Sequence, residues 1–330
     1  MMPRVAESDI ALMDRWQRDF PLVKRPFARL GSEFGFDEAA TLAALRQLSD
    51  AGVLSRIGAV VRPHAIGSST LAAMRVAPDC VEEVAGIVTR EPLVNHNYER
   101  AHPINLWFVI AGGDADEISA TLDKIEAHSG LRVLDLPLER AYHIDLGFSL
   151  TGYASARKPP STTAEFHPDP FDRRLLAGIA DGLPLVARPF RQLADSLAVD
   201  EEDIVDRLQY LIARGVITRF GCVVRHRKLG YTANAMAVWD IPDDSVDAVA
   251  ARFASNPQVT LCYRRPRRLP DWRYNLFCMV HAKTRHDAYA VIDDLNLVGE
   301  TGLNEQAVLF STRCFKQRGA LFSQSRGGLH

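Results

Sequence analysis

The sequence has almost no net charge and no long apolar run. It contains 39 Lys and Arg against 41 Asp and Glu, a formal net charge of −2, so no overall field draws it to nucleic acid or to an acidic membrane. No apolar stretch is long enough to span a bilayer, and the N-terminal segment MMPRVAESDIALMDRWQRDF lacks the apolar block of a signal peptide. We therefore expect a cytoplasmic protein that does not associate with membranes.

Cysteine is also scarce. The five cysteines form an odd set, and their spacings match no zinc or redox motif. They are Cys80, Cys222, Cys262, Cys278 and Cys314. We expect reduced thiols, as in most cytoplasmic proteins, and no structural metal site.

What the sequence does contain is an internal repeat. The segment PLVKRPF at 21–27 recurs as PLVARPF at 184–190, and 19 of 47 residues are identical when 21–67 is aligned with 184–230. Small gaps further on bring Tyr98 and Arg100 onto Tyr263 and Arg265. With 330 residues, 47% of them hydrophobic, the chain is long enough for two or more domains. The repeat predicts a covalent pseudo-dimer with a twofold-like interface.

Each half shows the same order of predicted elements. Helical periodicity comes first, as in DEAATLAALRQLSDAGV, and VLSRIGAVVRP then predicts a strand–turn–strand hairpin. Helices followed by a small hairpin are typical of a winged helix-turn-helix. The β-α-β-β-α-β order after it is the ferredoxin-like unit. This combination resembles the Lrp/AsnC regulators, which bind DNA with the first part and a small ligand with the second.

The fold class that we predict is therefore α+β, a tandem duplication. Each half is a winged helix-turn-helix followed by a ferredoxin-like ligand domain of the Lrp/AsnC type. The expected boundaries are 1–62 and 171–225 for the winged helices, 63–152 and 226–330 for the ferredoxin-like domains, and 153–170 for a linker rich in Pro, Ser and Thr.

The helices that would enter DNA are acidic. The helix in the first half carries Asp37, Glu38 and Asp50 against Arg46, and its counterpart begins with DEEDIVDR. Acids at a helix start complement the helix dipole, but this many exceed that need, and DNA phosphates would repel them. The basic residues that remain nearby are Arg25, Arg29, Arg188 and Arg191. We expect no DNA binding.

Polar side chains are concentrated in VNHNYERAHPINLWF (94–108). On a strand, His96, Tyr98, Arg100 and His102 would share one face and offer imidazole, phenol and guanidinium groups to a ligand. A solvated strand face is the alternative. The repeat retains the Tyr and the Arg but has Leu261 in place of His96.

Two further stretches contain candidate residues. His143 lies in the apolar segment RAYHIDLGF (140–148), where a hydrogen-bonded core or edge histidine is the alternative. The segment YRRPRRLPDWR (263–273) is dense in arginine, which suits binding of carboxylates or phosphates. A solvated basic loop is the alternative, and no RNA-binding motif accompanies it. Its arginines are Arg264, Arg265, Arg267, Arg268 and Arg273. Together these stretches indicate a flat polyanionic ligand that packs against aromatic rings.

These stretches resemble the siroheme decarboxylases, a branch of the Lrp/AsnC superfamily that acts in haem d1 biosynthesis and in the alternative haem pathway. In the first half the resemblance lies in FPLVKRPFARLG, GVLSRIGAVVRP, VNHNYERAHPINLWFVI and RAYHIDLGF. In the second half it lies in LPLVARPF, GVITRFGCVVRHRKLGY and CYRRPRRLPDWRYNLFCMVH. The order resembles two family subunits joined head to tail.

The resemblance implies an activity and a set of residues. The activity is the removal of two acetate carboxyl groups from siroheme, giving 12,18-didecarboxysiroheme and carbon dioxide, with no cofactor beyond the iron of the substrate. The implied catalytic residues are His96, His143, Tyr98 and Arg100. The predicted substrate-binding residues, of which Tyr263 and Arg265 match the family pattern, are Trp107, Arg140, Tyr263, Arg264, Arg265 and Arg267. In the second half, Leu261 and Phe315 stand near the positions of His96 and His143, which argues against a second complete site.

On this hypothesis the tetrapyrrole itself accepts the electron pair that each departing carboxylate leaves behind. Either His96 or His143 donates the proton, and the other ligates the iron or orients the acetate. Trp107 and Phe148 would form an apolar wall that disfavours the leaving carboxylate. Two other functions stay open, a tetrapyrrole-responsive regulator of the Lrp/AsnC type and a tetrapyrrole carrier, as does further association into a homo-oligomer.

Overall fold

The computed structural model describes residues 6–144, 147, 150, 166–302 and 305–319. The chain divides at Gly67 and at Leu229 into two compact units, and each unit contains parts of both halves of the repeat. Among the described residues, the first unit comprises mainly 6–67 and 166–229, and the second comprises 68–144 and 230–319. Most of the predicted linker, 153–170, lies outside the described residues. No helix in the described ranges has the length and apolar content to cross a bilayer.

The helices and strands follow the predicted order in both halves. In the first half they are α1 (Glu7–Arg15), α2 (Pro26–Ser32), α3 (Glu38–Asp50), β1 (Leu54–Val61), β2 (Ser68–Met74), α4 (Val81–Arg90), β3 (Val94–Arg100), β4 (Leu106–Gly112), α5 (Ala115–Ser129), β5 (Val133–Pro137) and β6 (Arg140–Ile144). In the second half they are α6 (Pro170–Gly178), α7 (Pro189–Leu197), α8 (Glu201–Ala213), β7 (Ile217–Val224), β8 (Ala233–Trp239), α9 (Val246–Ala254), β9 (Val259–Arg264), β10 (Leu276–Ala282), α10 (Arg285–Gly299) and β11 (Gln306–Gln317). A short 3-10 turn at His226–Leu229 ends the first unit.

Helix boundaries in the first unit follow from capping residues. α2 and α7 both start with a proline, whose fixed φ suits the first helical position. The carboxylate of Asp37 accepts a hydrogen bond from the Ala40 amide at 2.7 Å and so caps α3. Asp200 and Asp203 form a reciprocal capping box on α8. Several of the acids that distinguish these helices therefore stabilise the helix starts.

The predicted hairpin after α3 is wrong. β1 is one continuous strand of eight residues that pairs antiparallel with β7, its counterpart in the other half, with Gly58 in register with Gly221. A Cβ at Gly221 would lie 2.3 Å from the carbonyl oxygen of Trp16. The glycine is therefore needed for the close approach of the α1 end, and not for a turn.

The second unit is built on a sheet of nine strands in the order β5-β2-β4-β3-β11-β8-β10-β9-β6. β5-β2-β4-β3 and β11-β8-β10-β9 each have the order of a ferredoxin-like sheet, and this confirms the predicted fold of the halves. The two groups are joined where the closing segment of one repeat pairs with a strand of the other, β11 with β3 and β6 with β9.

The two halves exchange these closing segments. β11 pairs with β8 through its first half and with β3 of the other repeat through its second half. In the first repeat the equivalent segment is divided into β5, which pairs with β2, and β6, which pairs with β9. The closing strand of each repeat therefore completes the edge of the other repeat, which the sequence alone did not predict.

The sheet buries apolar side chains on both faces. On the outer face, α4 and α5 cover one repeat and α9 and α10 cover the other. On the inner face, residues of both repeats form one shared cluster, which we call the inner core. Its largest members are Trp107, Tyr263, Trp272 and Phe277. This inner face carries the predicted polar residues of β3.

Candidate active site

Three of the four polar residues predicted to share a face of β3 do so. The imidazole Nδ1 of His96 lies 3.3 Å from the hydroxyl of Tyr98, and the two rings stack with centroids 6.0 Å apart. The guanidinium of Arg100 lies 5.8 Å from the Tyr98 ring centre. Tyr98 is in register with Trp107, a member of the inner core, so the three side chains lie on the inner face of the sheet.

His102 departs from this pattern because β3 ends at Arg100. The Nδ1 of His102 accepts a hydrogen bond from the Ile104 amide at 3.0 Å, and its ring contacts Trp272 edge-on at 5.6 Å. Burial lowers its pKa below the usual value. Strand alternation no longer applies beyond the last paired residue, so the prediction for His102 was wrong.

Arg100 is a buried cation that has no carboxylate partner in the part of the chain that the structure describes. Its side chain donates a hydrogen bond to the carbonyl of Leu309 at 3.1 Å, and its Nε has no hydrogen-bond partner among the described residues. No carboxylate in those ranges lies within ion-pair distance. Burial lowers its pKa to about 10, and the nearby phenols of Tyr263 and Tyr98 oppose that change. A buried charge of this kind is costly unless an anion joins it.

The second repeat holds the corresponding pair. Arg265 is buried, stacks over the ring of Tyr263 at 4.6 Å and donates to the carbonyl of Leu136. Burial lowers the pKa of Arg265 as well. In its environment, Leu261 stands where the first repeat has His96.

His96 and His143 lie on strands that are not neighbours. His96 is on β3, between β4 and β11, whereas His143 is on β6, which pairs with β9. His143 is in register with Cys262, and a β-bulge between Ala141 and His143 interrupts the side-chain alternation of β6. Ala141 is in register with Tyr263. Cys262 belongs to the outer-face cluster, so the register does not place His143 on the inner face that carries His96.

The counterpart of His143 is Lys316, and the sequence comparison with Phe315 was one residue off. Lys316 lies opposite Asn97 just as His143 lies opposite Cys262, and Asn97 and Cys262 hold the same place in the repeat. The Lys316 ammonium donates to the carbonyls of Thr89 and Glu91 at 2.8 and 2.9 Å. Few identities mark the closing strands, so sequence alone could not place the gap.

Several of the predicted substrate-binding arginines form ion pairs within the chain. Arg140 lies 2.6 Å from Asp247, and Arg264 lies 2.9 Å from Glu139. Arg267 lies 2.7 Å from Asp240. The arginine-rich segment therefore contacts carboxylates as predicted from its composition, but these carboxylates belong to the protein. These acidic partners were not predicted because they lie in other segments of the sequence than the arginines.

The aromatic residues of this region fill the inner core. Trp107 is 1% exposed, donates its indole N–H to the Ile104 carbonyl at 2.8 Å, and packs on Trp272 with ring centroids 5.0 Å apart. Its side chain lies beside that of Tyr98 on the inner face of the sheet. Phe148, predicted to share the apolar wall with Trp107, lies outside the described residues.

His281 was not among the predicted site residues. His281 on β10 lies in register with Asn234 on β8, and the Asn234 side chain is 3.0 Å from its Nε2. Thr260 lies 3.1 Å from its Nδ1. Burial and the charge of Arg100 lower the pKa of His281 to about 4. The first repeat has Ala111 at this position, and that difference between repeats was a detectable indication.

The basic residues considered for DNA contact are paired with acids in the first unit. Arg25 pairs with Glu38, and Arg188 pairs with Glu201 at the same place in the repeat. The other two, Arg29 and Arg191, pair with acids four residues on, Glu33 and Asp195, at 3.5 and 2.9 Å. The predicted basic surface is therefore largely neutralised.

Comparisons with known proteins match both parts of each repeat. The profile of the "AsnC-like ligand binding domain" matches residues 65–143 and 228–316, and that of the "Siroheme decarboxylase NirDL-like HTH domain" matches 9–54 and 172–217. The siroheme decarboxylase NirDL subunit of Paracoccus denitrificans is 43% identical over 96% of this chain and 97% of its own length.

Two further relatives relate the repeat to subunits. A crystal structure of the siroheme decarboxylase NirDL in co-complex with an iron-uroporphyrin III analogue superposes with a TM-score of 0.65 at 30% identity, covering 96% of this chain and 93% of that chain. The siroheme decarboxylase NirL subunit of Stutzerimonas stutzeri aligns at 46% identity with 46% of this chain and 87% of its own length. Both family domains occur twice and the likeness extends over nearly the whole sequence, so this chain belongs to the siroheme decarboxylase family of the Lrp/AsnC superfamily.

Proposed function

We propose that this protein decarboxylates siroheme to 12,18-didecarboxysiroheme, in haem d1 biosynthesis or the alternative haem pathway. The observation that carries the proposal is Arg100, a buried guanidinium without a carboxylate partner among the described residues, next to the His96–Tyr98 pair. The relatives named above support the substrate.

A polycarboxylate substrate explains the charge distribution. Burying an unpaired arginine destabilises the folded protein, and an anionic ligand removes that cost when it binds. The two Tyr–Arg pairs, at Tyr98 with Arg100 and at Tyr263 with Arg265, present a flat aromatic face beside each cation. The planar ring of a tetrapyrrole can lie against the tyrosine rings, and its peripheral carboxylates can pair with the arginines.

The reaction requires one proton for each carboxylate lost. When the bond between the acetate methylene and its carboxylate breaks, carbon dioxide leaves and the electron pair stays on the methylene carbon, conjugated with the macrocycle. A proton then adds to that carbon to give a methyl group. Because the macrocycle delocalises the charge, we propose that no cofactor is needed beyond the iron of the substrate.

We assign the proton to His96. An imidazole titrates near neutral pH and can donate a proton that it regains from solvent. The Tyr98 hydroxyl, 3.3 Å from Nδ1, orients the ring. For His143, contact with the iron or with the acetate stays a prediction, because its partner in register, Cys262, belongs to the outer-face cluster. Arg140, Arg264 and Arg267 have no place in this assignment because their charges are matched by Asp247, Glu139 and Asp240.

We further propose that one site per chain performs the reaction. The second Tyr–Arg pair has Leu261 in place of the proton donor, and β6 beside it carries His143 where β11 beside the first pair carries Lys316. His143 lies opposite Cys262, whose side chain belongs to the outer-face cluster, so it does not replace His96 on the inner face. The second pair can hold a carboxylate but cannot deliver a proton in the same way.

The ion pairs of the first unit support an enzyme that does not bind DNA. Arg25 and Arg188 would have to leave Glu38 and Glu201 before contacting phosphate. For the cell compartment we keep the expectation from composition, the cytoplasm.

Anaerobic incubation with siroheme tests the proposed function. We expect the loss of two carboxyl groups by mass spectrometry and two equivalents of carbon dioxide. The variant His96→Ala should bind siroheme and release carbon dioxide at least about 100-fold more slowly, and Leu261→Ala is the matched control at the same place in the repeat. Binding without mass loss in the wild type would indicate a carrier, and a siroheme-dependent gel shift on DNA would indicate a regulator.

A further inference from the structure

The closing strand of the second repeat lies directly beside the candidate active site of the first. On β11, Cys314 is in register with Tyr98, and Gln317 is in register with His96. Residues directly opposite each other on antiparallel strands share a face of the sheet. Because His96 and Tyr98 lie on the inner face, Cys314 and Gln317 lie beside them there.

The contacts of the neighbouring residues agree with this placement of Gln317. The Lys316 ammonium donates to the carbonyls of Thr89 and Glu91 at the end of α4, the helix that covers the outer face. Asn97, the residue in register with Lys316, donates to a backbone carbonyl of α4 at 3.2 Å. Lys316 and Asn97 therefore point outward, and strand alternation turns the next residue, Gln317, to the inner face.

The closing strand of the first repeat has the same geometry but different side chains. β6 also contains a bulge, and it pairs Ala141 with Tyr263 and Ile144 with Leu261. Leu261 packs against the inner core, so Ile144 also lies on the inner face. The imidazole of His96 thus lies opposite an amide, whereas the leucine that replaces it lies opposite an isoleucine.

The side chain of Gln317 is available to a ligand. It is exposed, and its amide has no hydrogen-bond partner among the described residues. The isoleucine of the other repeat occupies the same place, so pairing of the strands does not require an amide there. The amide N–H can donate to a carboxylate without adding charge to the site. It lies beside His96, which has to reach the methylene carbon of the reacting acetate.

Resting on the function proposed above, we propose that Gln317 binds the carboxylate of the acetate that reacts beside His96. Its N–H holds this carboxylate out of the plane of the macrocycle, the orientation in which the breaking bond overlaps with the π system. A neutral donor suits this place, because a cation would stabilise the carboxylate and oppose its loss. The buried charge of Arg100 is left for a carboxylate that the reaction retains.

Two iron porphyrins isolate the contact with an acetate. Iron-uroporphyrin III carries acetates and propionates, whereas iron-coproporphyrin III has methyl groups in place of the acetates. Gln317→Ile copies the residue of the other repeat. It should raise the Kd of iron-uroporphyrin III by about tenfold, the loss of one hydrogen bond to a charged group, and leave that of iron-coproporphyrin III unchanged. The matched control Ile144→Ala, at the same register of the other repeat, should keep the wild-type ratio of the two Kd values.

Gln317→Glu separates hydrogen bonding from packing. Glutamate has nearly the shape of glutamine but offers acceptors and a negative charge in place of the N–H donor. The Kd of iron-uroporphyrin III should therefore rise further than in Gln317→Ile, and kcat for siroheme should fall in both variants. The proposal is wrong if Gln317→Glu binds iron-uroporphyrin III as tightly as wild type, or if Gln317→Ile changes the two Kd values equally.

These measurements separate the role of Gln317 from the proposed function. If the wild type binds siroheme and releases no carbon dioxide, the function is wrong, and the Kd values still decide whether Gln317 contacts an acetate. If the wild type is active and the ratio of Kd values does not change in Gln317→Ile, only the role of Gln317 is wrong. Because Gln317 is exposed, both substitutions should leave the melting temperature near that of the wild type.

Discussion

Replacing Arg100 with Met should have opposite effects on stability and on function. A pKa of about 10, lowered from 12.5 by burial, corresponds to about 3 kcal/mol against the charged form in the folded protein. Loss of the hydrogen bond to Leu309 costs about 1 kcal/mol. The free energy of unfolding of the variant should therefore be about 1–2 kcal/mol larger than that of the wild type. Well below pH 10 the guanidinium is charged in both the folded and the unfolded state, so the difference in stability should not vary with pH there.

The same change should weaken siroheme binding. A charge-assisted hydrogen bond to a carboxylate contributes about 1.5–3 kcal/mol, so Kd should rise by about 10- to 100-fold. Urea denaturation measures the first effect, and absorbance titration with siroheme measures the second. Arg265→Met is the matched control, because it removes the equivalent buried arginine from the repeat without His96. It should change stability in the same direction and leave kcat close to wild type.

The reasoning would be refuted if Arg100→Met lost stability by more than 1 kcal/mol and bound siroheme as wild type does. Arg100 would then have its counter-charge within the protein, and its role would be structural. A variant that loses both stability and binding would also contradict the expected opposition of signs.

Three further predictions concern the proton donor, the neutral histidine and the central glycines. His96→Ala should lower kcat by at least about 100-fold, as for other general acids, whereas Leu261→Ala should lower the melting temperature and retain kcat; equal turnover of both variants would contradict the assignment. The pKa of His281 is lowered to about 4 from 6.5, so between these pH values the unfolded chain binds a proton that the folded chain does not bind. Stability should therefore fall as the pH falls from 6.5 to about 4. Urea titrations should show a smaller fall in stability for His281→Gln than for the wild type, and parallel curves would exclude His281 as the source of the pH dependence. Gly221→Ala should destabilise the folded protein by about 2–4 kcal/mol because its Cβ would meet the Trp16 carbonyl. Gly58→Ala, whose Cβ would have its nearest contact at 3.3 Å, should destabilise it far less. Similar melting temperatures of the two variants would show that the close approach at Gly221 does not matter.

Local pattern predicted the elements well because the apolar periodicity of each repeat is regular. The helix α3 and its partner α8 begin at Asp and end before Gly, and both boundaries follow from capping chemistry that residue types reveal. The hairpin was predicted wrongly because the same local rules were applied to Gly58. Gly58 reads as a turn residue, but the space it leaves is used by a neighbouring backbone, which no local pattern indicates.

The site was predictable where it is local and not where it depends on pairing between repeats. His96, Tyr98 and Arg100 share a face because strand alternation places them there. Lys316 and His281 were not identified because their positions follow from register between distant strands. The same holds for the arginine partners, since Asp247 pairs with Arg140 across 107 residues of sequence.

The exchanged closing strands have a consequence for how the repeats evolved as one chain. Because β11 completes the edge at β3 and β6 completes the edge at β9, each repeat alone would leave an edge unpaired. Two separately encoded subunits would interlock in the same manner, so a peptide connection between them adds little to their attachment. Its contribution is to fix stoichiometry: one copy with His96 is always made with one copy that has Leu261 at that position. Two identical copies would carry either two imidazoles at this place or none.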